Sequence, residues 1–279
     1  MPTERTFDAS AVTLNYLDYG SPDAEPLVML HGGAWRWQEF LSLIPSLGRR
    51  WHVQALDLRG NGGSGWSPGD YRLRDFAQDN AEFVRSLQRP AVLVGHSIGG
   101  VIALMVAQSL PDKTKAVIVE DAPIDLGNYR RIIEASRTDY DLWLKMIRSS
   151  QSEQELALQI AGAYGNAPGV TSSWILFFAG CLSRIDPTFF DNLLNDFDDF
   201  ASGYDCRSIL ENIDCPVLYL RGDPKLGAVM TDDEIAWLKK KNFSNVKPVP
   251  IEAVGHLLHL ETHGQMPVLA AMTAFLERI

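Results

Sequence analysis

The sequence predicts a mostly parallel, doubly wound α/β sheet with an all-helical segment inserted late in it. Three observations carry that expectation. Short apolar runs at 27–30 (LVML), 53–58 (VQALDL), 91–94 (AVLV) and 116–119 (AVIV) alternate with stretches that suit helices. Alternation of that kind requires crossover connections, and so a parallel sheet covered on both faces. The runs themselves are apolar or nearly so, as in strands buried on both sides. The pattern stops after Pro123 and resumes at Pro216-Val217-Leu218-Tyr219-Leu220. Residues 1–124 and 215–279 are therefore expected to form the core, and 125–214 a helical cap.

In order, Thr6 to Tyr19 reads as two short strands, with Val12, Leu14 and Tyr16 giving partial alternation. Gly20-Ser21-Pro22-Asp23 is a turn. The strand at 27–30 runs straight into His31-Gly32-Gly33. Glu39 to Leu47 reads as a weak helix interrupted near Pro45. The strand at 53–58 is closed by the glycine-rich stretch Arg59 to Gly65. A helix over Leu73 to Leu87 puts Phe76, Ala77, Ala81, Phe83, Val84 and Leu87 towards the core. In the inserted segment four helices are expected, over Tyr140 to Ser149, Glu153 to Tyr164, Ser172 to Leu182 and Pro187 to Phe197. Beyond it come a helix over Asp232 to Lys241, a strand over Val246 to Ile251, and a closing helix over Val268 to Ile279.

The stretch that carries chemistry is Val92 to Ala103, VLVGHSIGGVIA. Strand, sharp turn and helix follow one another, and Gly95-His96-Ser97-Ile98-Gly99 lies at the junction. G-x-S-x-G in that setting places a serine at a strained tip, above the sheet and beside a helix N-terminus. A serine hydroxyl needs a base within hydrogen-bond reach. Of the six histidines, His256 follows the last expected strand and shares the sheet edge with Ser97. His259 is a weaker alternative, and His31, His52 and His96 read as structural. An aspartate should orient the base. Asp223, in Arg221-Gly222-Asp223-Pro224, is preferred because it lies in the strand-ending loop next before His256. Asp121 is its rival, and Asp232 and Asp233 read as helix caps. The backbone N–H groups of Gly33 and Ile98 are the expected oxyanion donors. Asp57 to Gly65 lacks the Lys-Ser/Thr ending of a phosphate loop and reads as a tight connection held by Asp57 or Arg59.

Net charge is −10 with a pI near 5.0, which argues against nucleic acid and anionic membranes as partners. Three cysteines without pattern indicate neither a disulfide framework nor a zinc site. The opening MPTERTFDAS lacks an apolar signal region, so a cytoplasmic location is expected. No metal or organic cofactor is expected.

His31-Gly32-Gly33, Asp57-x-Arg59-Gly60, Gly95-x-Ser97-x-Gly99, Gly222-Asp223 and Gly255-His256 stand in the order seen in the α/β-hydrolase superfamily. The whole chain resembles it, with Asp125 to Asp214 in the place of the helical cap. Gly60-Asn61-Gly62-Gly63-Ser64 departs from the usual Arg-Gly-x-Gly-x-Ser, and Asp223 follows Gly222 directly where many members have two residues between. The resemblance implies an α/β-hydrolase fold and a serine hydrolase; Ser97 sets the chain apart from members that use aspartate there. The aromatic cap implies a small apolar substrate, with Trp35, Trp143, Trp174 and Phe178 as candidate binding residues. An esterase or lactonase is the first expectation. A C–C hydrolase or lyase on the same triad, or a slow-turnover ligand-binding receptor, is the alternative.

Overall fold

The computed structural model describes residues 2–167 and 169–279. β1 (Thr3–Asp8), β2 (Thr13–Tyr19), β3 (Glu25–Leu30) and β4 (Trp51–Leu56) open the chain, with α1 (Ile44–Leu47) between β3 and β4. Then follow α2 (Leu73–Ser86), β5 (Ala91–His96), α3 (Ile98–Ser109) and β6 (Thr114–Glu120). The insertion holds α4 (Leu126–Ala135), α5 (Arg137–Ser149), α6 (Glu153–Tyr164), α7 (Ser172–Leu182), α8 (Thr188–Asn195), α9 (Phe197–Phe200) and α10 (Cys206–Asn212). The chain returns through β7 (Val217–Arg221), α11 (Asp232–Lys241), β8 (Val246–Pro250) and α12 (Gln265–Leu276).

All eight strands form one sheet in the order β1-β2-β4-β3-β5-β6-β7-β8. β1 and β2 run antiparallel; from β4 to β8 every pairing is parallel. Period-two alternation sorts the central side chains. Val28, Leu30 and Leu93 join the core under α2 and α3, while Leu27, Met29, Val92 and Val94 join the core under α1 and α12. Because β3, β5, β6, β7 and β8 are parallel, the loops after them gather on one edge. That edge carries Gly33, Ser97, Asp121, Asp223 and His256.

Three local expectations change. The weak helix at Glu39 to Leu47 is a 3-10 turn over Trp37–Ser42 followed by the one-turn α1. The cap of α11 is Thr231, in a reciprocal pairing with Glu234, rather than Asp232 or Asp233. In the insertion, α10 packs on α3, so it joins a helix of the core although it precedes Asp214. No helix among the described residues is long and apolar enough to cross a membrane.

Candidate active site

The turn between β5 and α3 is as sharp as the glycine spacing requires. Ser97 sits at φ 53°, ψ −121°, a conformation that L-residues rarely adopt. A Cβ on Gly95 would lie 2.2 Å from the Gly99 carbonyl oxygen, and one on Gly99 would lie 2.0 Å from that of Leu30. The two glycines are thus what lets strand, turn and helix crowd together. The Ser97 N–H donates to the Glu120 carbonyl at 2.9 Å, which ties the elbow to the end of β6.

Ser97 and His256 line the same cavity. The His256 partner is Asp121, whose Oδ2 lies 2.8 Å from His256 Nδ1. Asp121 is fully buried, while the His256 side chain is partly exposed. The preference for Asp223 is therefore corrected. Its carboxylate instead accepts the Lys225 N–H at 2.8 Å and caps the turn Pro224–Leu226. The reason is local: aspartate followed by proline starts a turn, and the side chain turns to the N–H two residues on. The same loop serves the site differently. Its Val229 and Met230 N–H groups donate to Asp121 Oδ2 and Oδ1 at 2.8 and 3.3 Å. Asp121 itself sits at φ 43°, directly past β6, and this turns its carboxylate towards the His256 loop.

Gly33 and Ile98 face one another across the cavity floor, since a Cβ on Gly33 would lie 3.9 Å from Ile98 Cγ2. Ile98 is the first residue of α3, where a helical N–H has no partner one turn back. Both line the cavity that Ser97 lines, which is where the expected oxyanion donors have to be.

The cavity is about 540 Å³, set between the sheet edge and the insertion. Trp35, Trp143, Trp174 and Phe178 all line it, joined by Tyr129, Tyr140 and Phe189, which the sequence reading did not single out. Phe178 is the hub, with ring centroids 5.4 Å from Trp35 and 4.9 Å from both Trp143 and Trp174. It is only 1% exposed, so it supports the wall as much as it forms it. Burial raises the Tyr129 and Tyr140 phenols, so both remain uncharged at neutral pH. Among the described lining residues there is no lysine or arginine; Asp139 is the one aspartate or glutamate.

The other histidines fall outside the cavity. His259 is fully buried against Glu120, Nδ1 to Oε2 2.7 Å. His31 Nε2 accepts the Leu58 N–H at 2.9 Å, and His52 pairs with Asp18. The glycine-rich connection is held by both candidate side chains. Asp57 accepts from the N–H groups of Trp37 and Gly63 at 2.7 and 2.8 Å, and Arg59 makes a two-pronged pair with Asp79 at 2.5 and 2.6 Å. Among the described residues no group of three or more His, Cys, Asp or Glu is arranged to hold a metal ion.

A parallel-sheet edge bearing a strained serine, a histidine and a buried aspartate defines the class. The sequence agrees: the alpha/beta hydrolase family model matches residues 27–266, and the chain belongs to that family. The (E)-2-((N-methylformamido)methylene)succinate hydrolase of Acinetobacter baylyi is 26% identical over 226 residues, 78% of this chain and 80% of that one. The pimeloyl-[acyl-carrier protein] methyl ester esterase of Neisseria meningitidis serogroup B (strain H44/76) is 28% identical over 214 residues, 72% of this chain and 75% of that one. In fold, a solved E-2-(acetamidomethylene)succinate hydrolase superposes with a TM-score of 0.77 at 22% identity, covering 99% of this chain and all of the other.

Proposed function

We propose that this protein is a carboxylic ester hydrolase for small, uncharged, apolar or aromatic esters, working through a Ser97–His256–Asp121 triad. The observation that carries the reading is the Asp121–His256 pair beside the Ser97 elbow, at the base of an aromatic cavity. In this mechanism Ser97 Oγ attacks the carbonyl carbon as His256 Nε2 takes its proton. Asp121 holds the other ring proton on Nδ1 and balances the imidazolium that forms. The Gly33 and Ile98 N–H groups receive the oxyanion. His256 then hands the proton to the departing alcohol, leaving an acyl-Ser97. Water, deprotonated by His256, attacks the acyl carbon and releases the acid with Ser97 restored.

The lining argues for the substrate class. A buried carboxylate needs a charge partner or several donors, and the described lining of the cavity offers it no lysine or arginine. That supports uncharged substrates over dicarboxylates of the succinate type. Lactone opening and C–C cleavage would use the same triad and belong in the same screen.

The test is a panel of aryl esters, lactones and 1,3-diketones, run beside labelling with a fluorophosphonate. The expected result is turnover of aryl esters and a single labelled peptide containing Ser97, both abolished by Ser97→Ala. Labelling that persists in Ser97→Ala, or turnover of diketones alone, would overturn the reading.

A further inference from the structure

Directly beneath the elbow lies a group of buried side chains that the mechanism above leaves unused. His31, Glu39, His96, Glu120 and His259 are each at most 1% exposed. His96 is the centre of it. Its Nε2 lies 3.0 Å from the His256 carbonyl oxygen, and its Nδ1 lies 2.5 Å from Glu39 Oε1. The other oxygen of Glu39 accepts the N–H of Gly32 at 2.8 Å, in the loop that carries Gly33.

The protons can be placed from geometry. A carbonyl oxygen only accepts, so Nε2 carries a hydrogen. Glu39 Oε1 stands against Nδ1 as an ion-pair partner, off the line of the ring N–H, so the contact favours an imidazolium with hydrogens on both nitrogens without being an aligned hydrogen bond. We propose, building on the hydrolase reading, that Glu39 and His96 are a positioning pair. The Glu39 carboxylate against Nδ1 keeps His96 protonated and donating from Nε2 to the His256 backbone, which locks the general-base loop and the oxyanion loop to one another.

The chain of contacts runs Gly32 N–H, Glu39 carboxylate, His96 ring, His256 carbonyl, and it passes under Ser97, the residue after His96. A misplacement of either loop by about 1 Å can cost ~10²-fold in rate.

The charge state fits. Burial alone would lower His96, but Glu39, with Glu120 behind it, outweighs burial and raises the imidazole to about 9. Burial alone would raise Glu39, but His96, with His259 and His31, outweighs that and holds the carboxyl at about 2. The groups facing His96 are Glu39 after β3, His31 at the end of β3, Glu120 at the end of β6, and His256 and His259 in the loop after β8. At neutral pH His96 is therefore protonated beside an ionised Glu39. Above pH 9 the ring keeps one hydrogen, drawn to the Glu39 carboxylate, and the donation to His256 is lost.

Two variants test this with an aryl ester that the native enzyme turns over, background hydrolysis subtracted. His96→Phe removes both contacts at similar volume; kcat should fall ~10²-fold with KM within about twofold. Glu39→Gln keeps an acceptor for Gly32 and offers an N–H to Nδ1, which holds the single proton of a neutral His96 on Nε2. In the native enzyme kcat should decline as pH passes about 9; in Glu39→Gln that decline should vanish. A native profile with no such decline, an unchanged decline in Glu39→Gln, or a native-like kcat in His96→Phe would overturn the proposal. Should His96→Phe fail to fold, the Glu39→Gln profile decides alone. Native enzyme inert to aryl esters and to phosphonate at Ser97 would instead reject the hydrolase reading.

Discussion

Replacing Asp121 by asparagine is the sharpest perturbation of the site, because its three contacts fix what the amide can do. Oδ2 accepts from Val229 N–H and faces His256 Nδ1, each at 2.8 Å; Oδ1 accepts from Met230 at 3.3 Å. With its oxygen at the Oδ2 position, the amide keeps the first two contacts and turns its NH2 on the longest one. The imidazole tautomer survives, and only the negative charge is lost. Two unit charges about 4 Å apart at an effective dielectric of about 20 attract by about 4 kcal/mol, so the imidazolium-forming step should slow by about 10³. With the amide reversed, its NH2 meets Val229 and forces the wrong tautomer on His256, a change worth ~10⁴. Asp121→Asn should thus lower kcat by ~10³ to ~10⁴ and lower stability by ~1–3 kcal/mol for the donor left unpaired. Asp223→Asn is the control: asparagine caps a turn as well as aspartate does, so activity should stay within about twofold. Both variants are assayed for kcat on one aryl ester and for Tm. A folded Asp121→Asn that keeps a tenth or more of native activity, or a crippled Asp223→Asn, would refute the reasoning.

Three further outcomes follow from the same structure. Phe178→Ala should cost ~3–5 kcal/mol of stability, read by denaturant unfolding, because its ring is 1% exposed and packs three others; Trp143→Ala, only partly buried, should change the ranking of ester substrates more than Tm. An aryl hemisuccinate should be turned over with lower kcat/KM than the butyrate of the same phenol, and an arginine introduced at Ile132 in the lining should narrow the gap. For stability against pH, His96 is raised above its ordinary 6.5, so its contribution is complete below 6.5 and is lost as pH rises through about 9; native Tm should fall over that window, and fall less in Glu39→Gln.

Some of this was legible without coordinates because it is local. A G-x-S-x-G between an apolar strand and a helix has one steric solution, and the crowding at Gly95 and Gly99 is that solution. His-Gly-Gly after β3 and Gly-His after β8 lie at strand ends, and a parallel sheet brings such ends to one edge. Glu39 was not legible. It lies in a stretch that reads as a weak helix interrupted near Pro45, and a 3-10 turn there buries it instead. The one available hint was the histidine flanking the serine, which a period-two strand points away from Ser97 and into the core.

The sequence by itself determined the layered α/β fold, the serine, the histidine beside it and the aromatic character of the insertion, because these follow from periodicity and from residues adjacent in the chain. Which aspartate serves His256 was decided only in three dimensions. Asp121 and Asp223 both end strands on the same edge, so order along the chain could not separate them. The left-handed backbone at Asp121, and the amides of Val229 and Met230 folded over it from more than a hundred residues on, made one a buried acceptor. The proline after Asp223 made the other a turn cap. The buried ion pair of Glu39 and His96 was decided the same way, since only the folded chain brings the two side chains together.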